Sequence, residues 1–232
     1  MHAPAPPLIP SDLLLLAYRN GIFPMADNRD DPEVFWVEPR RRAILPLDGF
    51  RLSRTLRKVI RKDRFQVTCN QAFDEVIEAC AQPRPEHPES WISGRIMTSY
   101  RALHAEGHAH SIECWHEGEL VGGLYGVGFG GVFCGESMFS RVDDASKVAL
   151  AWLVALMRLA GASLLDCQFM TDHLASLGAV EIAQARYVAL LGEAAASGAA
   201  SLPDAFGGLV DEADGTGLLP SKLILQSLTQ TS

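Results

Sequence analysis

At 232 residues, with 48% hydrophobic and 21% charged residues, the chain can bury one sizeable core, and its composition excludes the disordered and fibrous classes. Its net charge of −8 argues against a uniformly basic nucleic-acid binder, but that charge is unevenly spread. Ten of the twenty Lys and Arg residues stand between Arg40 and Arg64, opposed only by Asp48 and Asp63, so this segment carries +8 on a remainder of −16. A basic patch on an acidic body is the electrostatic footprint of a polyanionic partner.

In chain order, Ser11 reads as the N-cap of a short helix through Tyr18 that stops at Gly21. Its apolar stretch Leu13–Ala17 is too short to cross a bilayer and lacks the basic flank of a secretory signal. A cytoplasmic location with no membrane partner is therefore expected. Gly21–Met25 reads as an apolar turn, followed by a short apolar run at Phe35–Val37. Ser53 caps a predicted helix from Arg54 to Asp63. Leu52, Leu56, Val59 and Ile60 form its apolar stripe, and Arg54, Arg57, Lys58, Arg61 and Lys62 take the other faces. Phe65–Cys69 alternates like a strand. Asn70 is expected to cap a helix through Ala81, Pro83, Pro85 and Pro88 punctuate a loop, and a further helix spans Arg95–Glu106.

Ala109–His116 and Leu120–Val127 read as a hairpin, and Val132–Phe139 as the next strand. A long helix over Asp144–Ala160 leads to a buried strand at Ser163–Gln168, a short helix to Leu177 and another near Glu181–Glu193. The small-residue-rich tail is expected to finish in a strand at Lys222–Leu228. This order makes an α+β domain, and it resembles the acetyltransferase-like (GNAT-type) fold.

Two segments carry candidate chemistry. Leu164–Gln168 is an apolar run ending in an acid and an amide. Strand alternation puts Asp166 and Gln168 on one face, where a carboxylate can orient an amide and hold a reacting amine; the plainer alternative is a strand-end Asp that caps the next helix. Glu136 stands inside an otherwise apolar strand, and carboxylates there concentrate at functional sites, a solvated strand face being the other reading. Trp36, Trp91, Phe133 and Met138 can form an apolar pocket, a base-stacking surface or plain core. Between Arg51 and Arg64 only Asp63 relieves like-charge neighbours at helical spacing, which favours phosphate contact by the basic helix. The five scattered cysteines read as buried thiols. His104, His108 and His110 lack the spacing and partners of a zinc site, so no metal is expected.

Taken together these residues resemble the leucyl/phenylalanyl-tRNA–protein transferases. The match runs from Gly21-Ile22-Phe23-Pro24-Met25, through Trp36 with Pro39 and Arg42, Leu47-Asp48-Gly49-Phe50 and Trp91-Ile92, to Gly107–Glu113 and Leu120–Gly126. It continues with Gly135–Ser140, Ala145-Ser146-Lys147, Asp166-Cys167-Gln168 and His173–Ala179. The resemblance implies a small N-terminal α/β domain, here residues 1–50, packed on an acetyltransferase-like catalytic domain, residues 51–232. It implies transfer of Leu, Phe and less readily Met from aminoacyl-tRNA to N-terminal Lys or Arg, marking the acceptor for degradation, with no cofactor and a monomeric enzyme. Asp166 and Gln168 match the family's catalytic pair and Glu136 its active-site glutamate. Trp36 and Trp91 match tryptophans at the aminoacyl-adenosine end, and Leu124, Phe133, Met138 and Ser140 the side-chain pocket. Arg51, Arg54, Arg57, Lys58, Arg61 and Lys62 are the expected tRNA contacts. Leu124 replaces a Met of some members, Glu38 a common Ser, and residues after 195 match poorly.

Two other readings fit the same order of elements. An acyl-CoA-dependent N-acetyltransferase would need a glycine-rich, amide-presenting loop where Arg141-Val142-Asp143-Asp144 stands, and acidic residues there repel pyrophosphate. A non-catalytic RNA-binding module leaves Glu136 and Asp166 without a role.

Overall fold

The computed structural model describes residues 8–83 and 90–229; Pro85 and Pro88, expected in a loop, lie outside the described residues. A seven-stranded sheet in the order β4-β5-β6-β7-β8-β3-β9 forms the centre. Its strands are β3 (Arg41–Ile44), β4 (Gln66–Cys69), β5 (Ala109–His116), β6 (Glu119–Phe129), β7 (Val132–Ser140), β8 (Leu164–Gln168) and β9 (Val180–Ala183). Neighbours are antiparallel except β7 and β8, which run parallel. A small hairpin pairs β1 (Phe23–Met25) with β2 (Phe35–Val37).

Each face of the sheet is covered by helices because its strands present apolar residues both ways. On one face lies α5 (Ala145–Leu159), with Ala145 and Val148 through Leu156 all buried. A helix apolar on every side must itself be covered. The covering comes from α2 (Arg54–Arg61), α8 (Leu202–Thr216) and α9 (Pro220–Thr229). The other face holds α1 (Ser11–Arg19), α3 (Phe73–Cys80), α4 (Gly94–Ala105) and α7 (Gln184–Ala195), packed through Leu14, Val76, Ile96 and Leu191. A short α6 (Asp172–Ser176) follows β8.

Local sequence explains several of these ends. Ser53 accepts the Leu56 N–H and Ser93 the Ile96 N–H, capping α2 and α4. The β5–β6 turn is two residues, Glu117 and Gly118, both at positive φ (53° and 82°), the twist that a tight hairpin requires.

Several expectations are corrected. Pro10, not Ser11, occupies the N-cap of α1, and the Ser11 hydroxyl donates instead to Glu106. Asn70 does not cap α3. It sits at φ +59° and its side chain ties the chain to Ser111 and His110 of β5. The apolar turn at residues 21–25 contains strand β1, and the helix expected from Glu181 begins only at Gln184, after β9. The tail forms helices α8 and α9 rather than a strand. Leu223 and Ile224 are buried, and α9 packs along α5 and α2, so a helical stripe outweighs the apparent strand pattern.

One close approach is decisive for the strands around the site. A Cβ on Gly126 would lie 2.2 Å from the Cys134 carbonyl oxygen and 2.5 Å from the Phe133 ring. Gly126→Ala is expected to lower unfolding free energy by about 1–3 kcal/mol, measured by urea denaturation; unchanged stability would show that β6 and β7 move apart easily.

Candidate active site

The site forms where β7 and β8 part. They pair over Val132–Cys134 and Leu164–Asp166 only, and beyond that point the two strands leave a gap. Irregularities on both strands shape it. Gly126 pairs with Gly135 and Tyr125 with Ser137, so Glu136 is the extra residue of a bulge. Ala43 pairs with Gln168 and Ile44 with Asp166, so Cys167 is the extra residue on β8. Bulges of this kind re-aim side chains.

Glu136 is 7% exposed and its carboxylate is surrounded by donors. Tyr18 donates to Oε1 at 2.7 Å, Tyr100 to Oε2 at 3.2 Å, and the Gln168 Nε2 amide to Oε1 at 3.0 Å. The Tyr18 and Tyr100 hydroxyls also contact each other. Burial raises the Glu136 pKa to about 7, against the opposing pull of the hydrogen bonds from Tyr18 and Gln168. Because the amide NH2 is bound to Glu136, the carbonyl oxygen Oε1 of Gln168 is the group this side chain offers to a ligand.

Asp166 is enclosed. Its Oδ1 accepts Arg42 Nε at 2.9 Å and the backbone N–H of Gln168 at 2.8 Å. Its Oδ2 accepts Arg42 Nη2 at 2.5 Å and the Tyr187 hydroxyl at 2.9 Å. Asp166 thus holds the backbone of Gln168, and it is Glu136 that holds the amide. Arg42 belongs to this buried pair, fully out of solvent, and not to the exposed basic patch in which charge counting places it.

A cavity of about 940 Å3 opens over Glu136 and Gln168. Leu124, Met138, Leu150, Leu153, Leu165 and Leu174 make it apolar beside α5, while Trp91, Tyr125 and Gln82 line it on the α3 side. Ser140 stands at its rim, where its hydroxyl accepts the Ser146 N–H and donates to the Val142 carbonyl, tying the start of α5. Phe133, expected in the side-chain pocket, does not line this cavity; it is buried among the side chains packed on α5. Trp36 is 42% exposed on the β1–β2 hairpin, opposite Pro24. Sequence reasoning missed Tyr18, Tyr100 and Tyr187 as partners, and Leu150, Leu153 and Leu165 as lining. Buried Tyr spaced four residues after Leu14 was a weak signal for the first; the others had none. Cys167, read as a buried thiol, lines the cavity, and burial first and Asp166 second push its pKa up.

The basic helix is placed one element away. Arg51, Arg54, Arg57, Lys58, Arg61 and Lys62 are all exposed, and among the described residues none of them has an ion-pair partner. The Arg51 N–H bonds to the Leu177 carbonyl just past α6, and His173 and Leu174 of α6 line the cavity. Arg41 pairs instead with Glu181. Of the three histidines, His104 is stacked on Phe73, His110 is hydrogen-bonded to Asn70, and His108 directly precedes β5.

The fold thus brings a buried acid–amide pair to a cavity that is apolar at one end. The leucyl/phenylalanyl-tRNA protein transferase model matches residues 44–192, and the model of that family's N-terminal domain matches residues 9–40. The leucyl/phenylalanyl-tRNA–protein transferase of Novosphingobium aromaticivorans is 71% identical over 82% of this chain and 72% of its own. That of Rhizorhabdus wittichii is 55% identical over 97% of this chain and 99% of its own. Among solved structures, L-PGS from Bacillus licheniformis is a distant likeness, with 12% identity and a TM-score of 0.37 over 71% of this chain and 55% of that one. The chain belongs to the leucyl/phenylalanyl-tRNA–protein transferase family, a family of aminoacyltransferases.

The raised Glu136 pKa has a sign. From about pH 4.5 to about 7 the unfolded chain has lost this proton while the folded protein keeps it, so stability falls as pH rises through that window. Glu136→Gln is expected to flatten this part of the pH–stability profile and to add on the order of 2 kcal/mol at pH 8. Parallel urea titrations at pH 5 and pH 8 check it; an unchanged pH dependence would mean that Glu136 is ionised throughout.

Proposed function

We propose that the protein transfers Leu or Phe, and less readily Met, from aminoacyl-tRNA to the N-terminal Lys or Arg of acceptor proteins, marking them for degradation under the N-end rule. The observation that carries this reading is the Gln168 amide, anchored through its NH2 by Glu136, with its oxygen at a cavity whose α5 side is apolar. The parallel β7 and β8 that part beside α5 support an acetyltransferase-like fold for the catalytic part, and the work is that of a cytoplasmic enzyme.

The ester that joins an amino acid to tRNA is already activated, so the protein's main task is positioning. Holding both reactants lowers the barrier by as much as roughly 7–11 kcal/mol in favourable cases. In the proposed step the neutral α-amino group of the acceptor attacks the ester carbonyl while one of its hydrogens is bonded to Gln168 Oε1. The C–N bond forms and the C–O bond to the tRNA 3′ oxygen breaks. The amine proton leaves to that oxygen or to water, because a neutral amide is a poor base. The aminoacyl side chain fits the apolar end between Leu124, Met138 and Leu150. Each methylene there discriminates by only about 1–3 kcal/mol, so leakage to Met follows. In this reading Trp91, which lines the cavity, and Trp36 take the terminal adenosine, and Glu136 meets either that nucleoside or the cationic acceptor residue.

The acyl-CoA reading is weakened at the start of α5. The Ser146 N–H is bonded to Ser140 Oγ and the Ala145 N–H to the Val142 carbonyl, so these amides are not free for a pyrophosphate.

Incubation with radiolabelled Phe-tRNA and peptides beginning with Arg, Lys or Ala tests the proposal. Label on the Arg and Lys peptides alone is expected, and Gln168→Ala is expected to lower kcat by about two orders of magnitude. tRNA bound without any peptide product would favour a non-catalytic RNA module instead. Charge reversal at Arg57 and Lys58 is expected to raise KM for Phe-tRNA and reduce its log–log salt slope by about 1 for each phosphate left without its cation; a slope unchanged by both would remove α2 from the RNA interface.

A further inference from the structure

Arg42 has no part in the chemistry above, yet few residues in the protein are held as closely. Its guanidinium is wholly buried between the rings of Phe23 and Tyr187, at 4.7 and 4.5 Å. Besides its two bonds to Asp166 it donates from Nη1 to the Gly21 carbonyl at 3.0 Å and from Nη2 to the Tyr187 hydroxyl at 3.3 Å. Gly21 itself is at φ +76°, and a Cβ there would lie 3.1 Å from the Tyr187 ring. The cation is thus fixed from three directions: the turn after α1, strand β8 and helix α7.

A buried ion pair is a poor means of gaining stability, since apolar residues of the same volume often serve as well. What the fork geometry supplies is direction. Asp166 receives four hydrogen bonds, two on each oxygen, and does not line the cavity, so it has no capacity left to act on a substrate. One of those four bonds restrains the residue that does reach the cavity. Gln168 is at φ +60°, a left-handed conformation that a side-chain-bearing residue rarely adopts and that neighbouring structure must hold. The bond from its own N–H to Asp166 Oδ1, two residues back, is the local restraint.

We propose that Arg42 is a positioning residue for aminoacyl transfer: by locking the Asp166 carboxylate it keeps the Gln168 backbone left-handed and its amide aimed at the attacking amine. This inference rests on the reading of Gln168 given above. With Lys at position 42 the charge remains but the fork does not, Asp166 gains freedom to turn, and Gln168 relaxes towards an ordinary strand conformation.

Steady-state kinetics with radiolabelled Phe-tRNA and an Arg-terminated peptide, for Arg42→Lys, Gln168→Ala and the double variant, test it. Arg42→Lys is expected to lower kcat about tenfold with both KM values within about twofold. In the Gln168→Ala background the same substitution is expected to lower kcat no further, because the group it positions is gone. An equal loss in both backgrounds, or a change confined to KM, would overturn the assignment to Arg42 while leaving Gln168 in place. A Gln168→Ala enzyme with full kcat would instead remove the reading of Gln168, and this inference with it. If Arg42→Lys does not fold, Tyr187→Phe deletes a single bond to the same carboxylate, and its smaller kcat loss must likewise vanish when Gln168 is absent.

Discussion

A carboxylate taken out of water has to be satisfied by its neighbours, and Glu136 draws them from well-separated parts of the chain. Tyr18 comes from α1, Tyr100 from α4 and Gln168 from the end of β8. Each of these elements is consequently constrained by the site as much as by the core. Helix α1 cannot drift from the sheet without leaving Glu136 short of a donor, and a buried acceptor left unpaired is costly. Burial also raises the pKa of the group to about 7, so it can serve as acceptor or, when protonated, as donor.

The second buried acid works differently. Asp166 sits two residues before Gln168 and is balanced by a full cation, Arg42, where Glu136 is balanced by hydroxyls and an amide. Two carboxylates within one network repel each other, and the Asp166 charge is among the influences that raise the Glu136 pKa. Giving one a guanidinium and the other neutral donors lets a charge-compensated pair and a near-neutral acid lie side by side.

Much of this was legible in the sequence, for identifiable reasons. Long elements with clean periodicity, such as α5 and the β5–β6 hairpin, were read with ends close to those observed. Glu136 stood out as an acid inside an apolar strand, and Asp166 and Gln168 as polar residues at the end of one, and hydrogen bonds to Gln168 join both acids to it. Strands β3 and β9 were not legible. Arg41–Ile44 begins with two arginines and reads as charge, and it becomes a strand only because β8 and β9 present edges on either side of it. Local pattern carries no information about such long-range pairing. The role of Arg42 was hidden for the same reason, since counting charge cannot distinguish an exposed arginine from one enclosed by two aromatic rings. The tail misled in the opposite way: the apolar run at Lys222–Leu228 suggested a strand, and packing along α5 made it a helix with Leu223 and Ile224 buried.

The position of β3 bears on when the enzyme comes into being. Arg41–Ile44 is inserted between β8 and β9, and its bond to Asp166 spans 124 residues of chain. A ribosome must therefore release most of the polypeptide before that strand can find its place, and pairings this remote in sequence form late and slowly. A nascent chain can have folded its central hairpin and still possess no working centre. With Gln168 as the proposed working group, competence would arrive with the last strands, and a truncated translation product lacking them would be inert rather than weakly active.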